Sequence, residues 1–598
     1  MKVKEVLVKD RLLWGQVFLS AVGTWGLLQV LEIGLGEISI ANTLVGTLIF
    51  GVLLFAYRRG KTLKKRENVF AWIFTLILAI IVVIGGQLEF TSGVVWNLMT
   101  PLKIICVTFA LYPITRIVLT CLARVTLKNI QDDISMRKLS WIAFAVILVG
   151  GFLVWLALWP GIYGWDSAAL VAQIKSGDLT SHWSLFLGVI FAWFLDLGNN
   201  LFGSYQVGMA IAMLMQLLVM TYIATRITIF ATKQTKNWYI YMLSILFFGF
   251  FPFYTAMTVY STQDTLFAGV FALIIVNLVE LATNRARWWE QKSRPVSLAI
   301  LILLLCLIRN NGMYCILILI PFALIICKEH RWTLALILVA PLVAYQVYTG
   351  PIYSLMRVNE SSGLREMLSV PSQQLARAYT YQSSQLSQDE VEELGKFYSN
   401  SDGLNNLLDY PIFMTKADRA KNALNITYTS EHLAEYVKLW GSIGIKTPRT
   451  YTDAFLLSSL GVWYPNKNFT DERSKLGYLE FGMADTTVIK NNEVITIERD
   501  SKFPLYRDML EKITEENTWR AAPIVSTITT VGSYFVLWIF IVGIIIVRKD
   551  WRLLVPMAPV LGLYITLFLA PVAIFRYCFP VVILLPVWVS LLFKRKRY

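Results

Sequence analysis

The sequence predicts an all-α multipass membrane protein, and three observations carry that prediction. The 598 residues are 56% hydrophobic, with a mean hydropathy of +0.58. Uncharged apolar runs long enough to cross a membrane recur from one end of the chain to the other. Basic clusters lie between these runs, as in "YRRGKTLKKREN", "RARWWEQKSR" and "KRKRY". Because this distribution is typical of cytoplasmic loops, the net charge of +15 indicates orientation and predicts no nucleic-acid partner.

The apolar runs predict about 14 spans with both termini in the cytoplasm. Four form an N-terminal extension within residues 1–138, at about 12–33, 40–57, 69–86 and 101–122. Since the first run is not followed by a small-residue cleavage site, we expect it to be a retained span. Seven form a membrane core within 139–349, at about 139–159, 204–230, 237–256, 264–283, 296–309, 313–327 and 332–349. Three close the chain within 524–598, at about 524–547, 551–569 and 576–593.

One apolar run, 184–199, does not fit this alternation. If it crossed the membrane, the basic segment "TRITIFATKQTK" after the next helix would lie outside, and every later loop would invert. We therefore predict that 184–199 is re-entrant or lies in the membrane interface.

Residues 350–523 are predicted to form a mainly helical external domain. This segment carries 19 Lys and Arg against 23 Asp and Glu, whereas the rest of the chain is strongly basic. Within it, "SQDEVEELGKFY" predicts a helix with a capping box of Ser387 and Glu390. "SEHLAEYVKLWG" predicts a helix capped by Ser430 and ended by Gly441. "TTVIKNNEVITIE" predicts a β-hairpin that turns at Asn491 and Asn492.

Five polar or ionisable side chains, far apart in sequence, collect near the predicted external face. Asp166 and His182 lie in the first external loop (160–183), and Asp264, Arg309 and Arg576 lie at the external ends of later spans. Each has a simpler alternative. The aspartates could cap helices, the arginines could extend to lipid headgroups, and the histidine could be an ordinary interface residue. Because ionisable groups at membrane depth are costly, the set is nevertheless a candidate functional site.

This combination of residues suits transfer from a lipid-linked phosphate. A carboxylate can deprotonate an acceptor hydroxyl as a general base. Arginines bind phosphate oxygens through charge-assisted, bidentate hydrogen bonds. The spacing of the residues does not identify the group that is transferred.

At these residues the chain resembles the GT-C superfamily of polyprenyl-phosphate-dependent membrane glycosyltransferases. A span followed by "PGIYGWDS", and then "SHWSLFLGVIFAWF", "STQDTLF", "RNNGMY" and "FRYCFP", are similar to motifs of that superfamily in order. "LREMLSVPSQQLAR" resembles the start of the external domain in an uncharacterised bacterial branch. The resemblance covers roughly residues 139–598, so the four N-terminal spans are additional. It departs from the superfamily at Trp183, which follows His182 where a proline is frequent.

The resemblance implies that Asp166 and Asp264 are catalytic and that Arg309 and Arg576 bind the donor phosphate. It also implies contacts with donor or acceptor from Trp165, His182, Asn310, Asn311, Tyr577, Gln373 and Gln374. The expected donor is a polyprenyl-phosphate-linked sugar. The expected acceptor is an extracytoplasmic glycan or lipid, such as a cell-wall polymer, a polysaccharide or a glycolipid. Such an enzyme would lie among the lipids of the plasma membrane. No cofactor is certain, a divalent cation remains an open option, and its ligands are unknown.

Two other function classes remain open. A transporter or flippase of a lipid-linked envelope precursor would use the same basic residues, although we find no matched pair of broken helices in two halves of the sequence. A structural or regulatory membrane protein could bind a wall polymer through its external domain. Turnover separates the three classes, because only the enzyme cleaves the donor.

Overall fold

The chain is built almost entirely from helices. The computed structural model describes residues 2–35, 44–60, 62–124, 135–359, 363–398, 404, 418–465, 486–488, 494–514, 530–571 and 575–593. Within these residues, short β-strands form one two-stranded sheet. The prediction of an all-α multipass membrane protein is confirmed at this level.

The N-terminal unit consists of helices that pack side by side, with α4 in contact with the other three. Its helices are α1 (Lys2–Leu35), α2 (Leu44–Arg59), α3 (Lys65–Thr91) and α4 (Met99–Arg124).

The membrane core follows, and most of its helices share one large apolar cluster with the C-terminal helices. Its helices are α5 (Met136–Ala157), α6 (Trp165–Ser176), α7 (Leu185–Phe202), α8 (Tyr205–Thr235), α9 (Trp238–Phe250), α10 (Pro252–Thr258), α11 (Gln263–Thr283), α12 (Arg285–Glu290), α13 (Ser293–Ile308), α14 (Asn311–Ile326) and α15 (Arg331–Val347). A π-helical turn, Tyr348–Ile352, continues α15.

The described part of 350–523, which we call the inserted domain, has its own apolar cluster. Its elements are α16 (Tyr353–Leu355), α17 (Leu364–Met367), α18 (Ser369–Gln382), α19 (Gln388–Phe397), α20 (Asp418–Asn422), α21 (Ile426–Glu431), α22 (Leu433–Lys446), α23 (Pro448–Ser458), α24 (Leu460–Trp463), β1 (Thr486–Val488), β2 (Val494–Thr496) and α25 (Pro504–Thr514). The chain then returns to the bundle through α26 (Val531–Arg548), α27 (Leu554–Phe568), α28 (Phe575–Val582) and α29 (Leu585–Leu592).

Ten helices of the described residues are long and apolar enough to cross a membrane, or eleven if the bent pair α9 and α10 counts as one span. The predicted number of about 14 is therefore not reached by length and composition. The difference arises partly from α13 and α14, which have only 16 residues each, and α2, which is equally short.

Helix α7 passes the same test of length, yet both of its ends lie on one side of the bundle. The Ser184 hydroxyl before its first turn donates to the Leu307 carbonyl at the end of α13 (2.7 Å). Just after its last turn, the Gln206 amide donates to the Glu498 carbonyl beside β2 (2.8 Å). A close approach of Gly198 to Gly208, where a Cβ on the former would lie 2.1 Å from the backbone nitrogen of the latter, folds α7 back on α8. These contacts favour the predicted re-entrant or interfacial path.

The helices give the bundle two distinct ends. At one end, which we call the site face, α5 stops beside the inserted domain, where the Asp500 N–H donates to the Trp159 carbonyl (3.0 Å). At the other, the basic face, Arg285 pairs with Glu329 (2.7 Å). Helix α11 runs from the first face to the second over 21 residues, roughly 31 Å.

The N-terminal unit also contacts the inserted domain, through the turn after α3. The Val94 N–H and the Trp96 indole N–H both donate to the Asp453 carboxylate of α23 (3.3 and 3.2 Å). The Arg377 guanidinium of α18 donates to the Ser92 carbonyl (2.5 Å). The turn after α3 therefore joins the N-terminal unit to the inserted domain.

Within the inserted domain, the local predictions had different outcomes. The capping box of Ser387 and Glu390 is confirmed at the start of α19. The predicted hairpin is confirmed as an antiparallel pairing of β1 with β2, although its turn at Asn491 and Asn492 lies outside the described residues. The cap at Ser430 is wrong, because Ser430 lies within α21 and α22 begins only at Leu433. The predicted end at Gly441 is also wrong, because α22 continues to Lys446.

Candidate functional site

Two loops, each leading into a helix that carries an aspartate, are joined by backbone hydrogen bonds at the site face. The Ile162 N–H donates to the Val259 carbonyl (2.9 Å), and the Ser261 N–H donates back to the Ile162 carbonyl (3.0 Å). The first loop leads into α6 and the second into α11. Asp166 and Asp264 are each the second residue of their helix, so the pairing brings both carboxylates to one place.

A buried glutamine holds the second loop through two hydrogen bonds. The Gln216 amide of α8 donates to the carbonyls of Thr258 (3.0 Å) and Tyr260 (2.8 Å). Because these carbonyls flank the residue paired with the first loop, Gln216 restrains both loops together.

The two carboxylates form a continuous ion-pair cluster with two arginines. Asp166 pairs with Arg576 of α28, and Asp264 pairs with Arg309 at the end of α13. The Arg576 guanidinium also lies 3.7 Å from the Asp264 carboxylate, which links the two pairs. Both guanidinium groups lie over the Tyr577 ring, with their Cζ atoms 4.5 and 5.1 Å from its centroid. The structure therefore brings five of the predicted residues, the two aspartates, the two arginines and Tyr577, into direct contact.

This geometry does not favour the simpler alternatives for these residues. Gly164 and Thr262 are the residues at the N-cap positions of α6 and α11, so neither aspartate is a cap. The side chains of Arg309 and Arg576 are only 18% and 14% exposed, so neither extends to lipid headgroups.

A groove of about 1580 Å³ opens beside the cluster. Asp166, Arg309 and Arg576 lie at its charged end, and the inserted domain forms the opposite wall through residues such as Gln374 and Trp440. The charged side chains among the described lining residues are Asp166, Glu366, Arg309, Arg357, Lys421 and Arg576. Positive charges thus exceed negative ones, which favours an anionic ligand.

The groove lining also includes an apolar stretch along the neighbouring helices α14 and α27, which we call the apolar furrow. One face of α14 lines it from Met313 to Ile318, about 8 Å along the helix axis. The facing stripe of α27 includes Ile565 and Leu569. Leu317 and Ile565 are 46% and 41% exposed, so the furrow is open to the surroundings of the bundle.

The other predicted contact residues lie at different depths. His182, Asn310, Asn311, Tyr577 and Gln374 line the groove. Trp165 and Gln373 are absent from its lining, the first being largely exposed and the second buried. Asp264 is 1% exposed and lies beneath the groove surface.

Several groove residues on the inserted-domain side were not predicted from the sequence, among them Arg357, Lys421 and Trp440. They lie on separate elements without a shared motif, so only the tertiary fold brings them together. A weak signal was present in "LMRVNE", where an arginine follows a membrane helix directly.

The arrangement does not fit a divalent cation. Each site carboxylate already contacts a guanidinium. In the part of the chain that the structure describes, no three His, Cys, Asp or Glu side chains are placed to hold a metal ion.

The sequence matches the family of unknown function DUF6020 over residues 170–598, and the chain therefore belongs to that family. No curated protein and no solved structure matches it significantly. The match includes Asp264, Arg309 and Arg576 and begins four residues after Asp166.

Proposed function

We propose that this member of the DUF6020 family is a membrane glycosyltransferase that moves a sugar from a polyprenyl-phosphate donor to an extracytoplasmic glycan or lipid. One observation carries the proposal: a single groove joins an Asp–Arg cluster to an apolar furrow between α14 and α27. A lipid phosphate has both matching parts, a charged head and a long apolar chain. The GT-C-like core inferred from the motif order agrees with this assignment.

Arg309 and Arg576 are the proposed phosphate ligands. A guanidinium has five N–H donors, so pairing with an aspartate leaves others for a ligand. The Nε–H of Arg576 has no acceptor within the described residues. The donor phosphate would lie at the charged end of the groove, with its polyprenyl chain along Leu317 and Ile565.

Asp166 is the proposed general base, because its carboxylate lines the groove whereas that of Asp264 does not. Asp166 accepts the proton of the acceptor hydroxyl while that oxygen attacks the anomeric carbon. The bond from the anomeric carbon to the phosphate oxygen breaks, and polyprenyl phosphate leaves with the electron pair. Direct displacement inverts the anomeric configuration, and Arg309 and Arg576 stabilise the charge of the leaving phosphate.

The proposed location is the plasma membrane, with the site face outside and both termini in the cytoplasm in a 14-span arrangement. Support comes from the basic turns at 285–294 and 328–331, which lie at the end of the bundle away from the site. Cysteine labelling in intact cells tests this orientation. A cysteine at Ser387 should react with an impermeant reagent, and one at Lys64, at the start of α3, should not. Labelling at Lys64 alone would contradict the orientation.

Turnover by the purified protein tests the function. The full chain in nanodiscs is incubated with synthetic polyprenyl-phosphate sugars and a mixture of envelope glycans and glycolipids. We expect release of polyprenyl phosphate and transfer of the sugar, with both lost on replacement of Asp166. Arg576→Ala should weaken donor binding about 10-fold or more, since a charge-assisted hydrogen bond contributes about 1.5–3 kcal/mol.

A transporter or flippase of a lipid-linked precursor is the alternative, because the open furrow also suits passage of a lipid. In sealed vesicles it would move the intact lipid between leaflets without cleavage. Translocation of an uncleaved donor, together with no sugar transfer to any acceptor, would replace the enzyme by the transporter.

A further inference from the structure

A third guanidinium, that of Arg357, lies at the rim of the groove on the side of the inserted domain. Its side chain is exposed, and no carboxylate of the described residues pairs with it. Arg309 and Arg576 differ in this respect, since each contacts an aspartate. A positive charge without a counter-ion in a groove attracts an anionic ligand.

The backbone holds Arg357 in a fixed position. Its φ angle is +54°, a left-handed conformation that is uncommon for a residue with a side chain. The Arg357 N–H donates to the Ser354 carbonyl (3.1 Å). Two residues later, Asn359 exchanges hydrogen bonds with Leu179 and Ser181 (2.8 and 3.0 Å). Arg357 is therefore anchored to the loop that follows the helix of Asp166.

The neighbouring wall of the groove combines an aromatic ring with planar polar groups. The Trp440 indole N–H donates to the Gln374 side-chain oxygen (2.9 Å), and the Gln374 amide donates to the Tyr451 carbonyl (3.2 Å). The Lys421 ammonium donates to both oxygens of Glu366 (2.6 and 2.7 Å). Sugar rings suit such a surface, because their hydroxyls hydrogen-bond to amides and carboxylates while their C–H faces pack on an indole.

We propose that Arg357 and this wall form an acceptor subsite for an anionic glycan, one whose repeating units carry phosphate or carboxylate groups. The inference rests on the proposed function, because it places an acceptor hydroxyl in the groove opposite Asp166. Arg357 lies at the rim and not in the ion-pair cluster, which assigns it to the ligand that enters from outside the bilayer.

Binding of defined glycans by the full chain in nanodiscs tests the subsite. The probes are a glycerol phosphate oligomer, a hyaluronan oligosaccharide with glucuronate units, and a neutral chitin oligosaccharide of similar length. We expect at least one anionic probe to bind about 10-fold more tightly than the neutral one at low ionic strength, with the difference reduced by salt. The two anionic probes distinguish phosphate from carboxylate recognition.

Variants of Arg357 connect this preference to the residue. Arg357→Asn removes the charge but tolerates the left-handed backbone, so it should abolish the preference without lowering the melting temperature. Arg357→Lys should retain most of it. Arg331→Asn, an exposed arginine at the basic face, is the matched control and should bind as wild type. Trp440→Leu should weaken all three probes, because ring packing is indifferent to charge.

Equal binding of anionic and neutral probes to the wild type would overturn the subsite, as would a preference that survives Arg357→Asn. A variant that loses affinity for polyprenyl phosphate but not for glycans would assign Arg357 to the donor and overturn it as well. Loss of the glycan preference with intact donor cleavage would leave the proposed function standing. Glycan binding through Arg357 without any donor cleavage would contradict the glycosyltransferase and keep the binding site.

Discussion

The two aspartates of the cluster occupy equivalent positions in their helices but lie at different depths. Asp166 lines the groove with a side chain that is 12% exposed, whereas Asp264 is 1% exposed and lies beneath it. Each is the second residue of a helix, where a negative charge is favourable. Asp166 pairs with Arg576, whereas Asp264 pairs with Arg309 and also lies 3.7 Å from Arg576. Their different depths therefore separate a carboxylate that can meet a substrate from one that can only position its neighbours.

The two aspartates therefore have different expected tasks. The pair of Asp166 and Arg576 faces the ligand and is expected to act on it. Asp264 lies beneath the groove and holds both arginines in place, because it pairs with Arg309 and its carboxylate lies 3.7 Å from the Arg576 guanidinium. Replacement of Asp166 should therefore mainly lower sugar transfer, whereas replacement of Asp264 should mainly lower stability.

The largest effect is expected from Asp166→Asn on sugar transfer. Loss of the general base should slow single-turnover transfer by about 10²–10⁴, while the amide oxygen still accepts a hydrogen bond from Arg576. The melting temperature should stay close to that of wild type. A variant that transfers sugar normally would remove the distinction between the two aspartates.

Asp264→Ala should act mainly on stability. It leaves the Arg309 guanidinium without its nearest anion in a buried place, which costs about 3–5 kcal/mol. The measurement is the thermal unfolding midpoint in detergent. The double variant Asp264→Ala/Arg309→Ala should recover part of the loss, since no uncompensated charge then remains from this pair. No recovery would show that Asp264 stabilises something other than Arg309.

Gln216→Leu should disturb the positions of both aspartates at once, because Gln216 restrains the loops that lead to them. It removes the donor to the Thr258 and Tyr260 carbonyls, which costs about 1–3 kcal/mol if they remain unsatisfied. Transfer should fall at temperatures where the protein is still folded, because both loops lose a restraint. Gln234→Leu, on the same helix near the basic face, is the matched control and should leave transfer unchanged.

The smallest effect is expected at Glu390, a carboxylate of the inserted domain whose partner Lys446 is 41% exposed. Burial raises its pKa, but hydrogen bonds from Lys446 and Ser442 outweigh this and lower the pKa to about 2 from the ordinary 4.5. Its contribution to stability is therefore present above about pH 4.5 and lost as the pH falls towards 2. Glu390→Gln should lower the free energy of unfolding by no more than about 1 kcal/mol at pH 6, and should leave it unchanged at pH 2. The measurement is the melting temperature at the two pH values. An equal difference at both pH values would contradict this.

The sequence predicted the helices and the set of polar residues better than their arrangement. Apolar runs and caps are local signals, so α11, α15 and the box at Ser387 could be predicted from neighbouring residues alone. The partner of Asp166 could not, because Arg576 lies 410 residues away and no local pattern encodes that contact.

Other differences have similar physical causes. Ser430 has the side chain of a cap but lies inside α21, whose cap is Asn425, with a side-chain oxygen that accepts from the Tyr428 N–H (3.2 Å). The depth of Asp264 depends on how α11 packs among its neighbours, which the spacing of residues does not report. Arg357 follows a membrane helix like many interfacial arginines, and only the groove distinguishes it.

The separation of Asp166 from Arg576 along the chain also determines how late in synthesis their ion pair can form. At about 5–20 residues per second, the ribosome reaches Arg309 roughly 2–9 s after Asp264, which precedes it by 45 residues. Arg576 follows Asp166 only after roughly 20–80 s of synthesis, because 410 residues intervene. The pair of Asp264 and Arg309 can thus form early in biogenesis, and the pair of Asp166 and Arg576 almost last. Until the final helices are inserted, the nascent chain holds an unneutralised carboxylate at the membrane, and any truncation before Arg576 would leave it so.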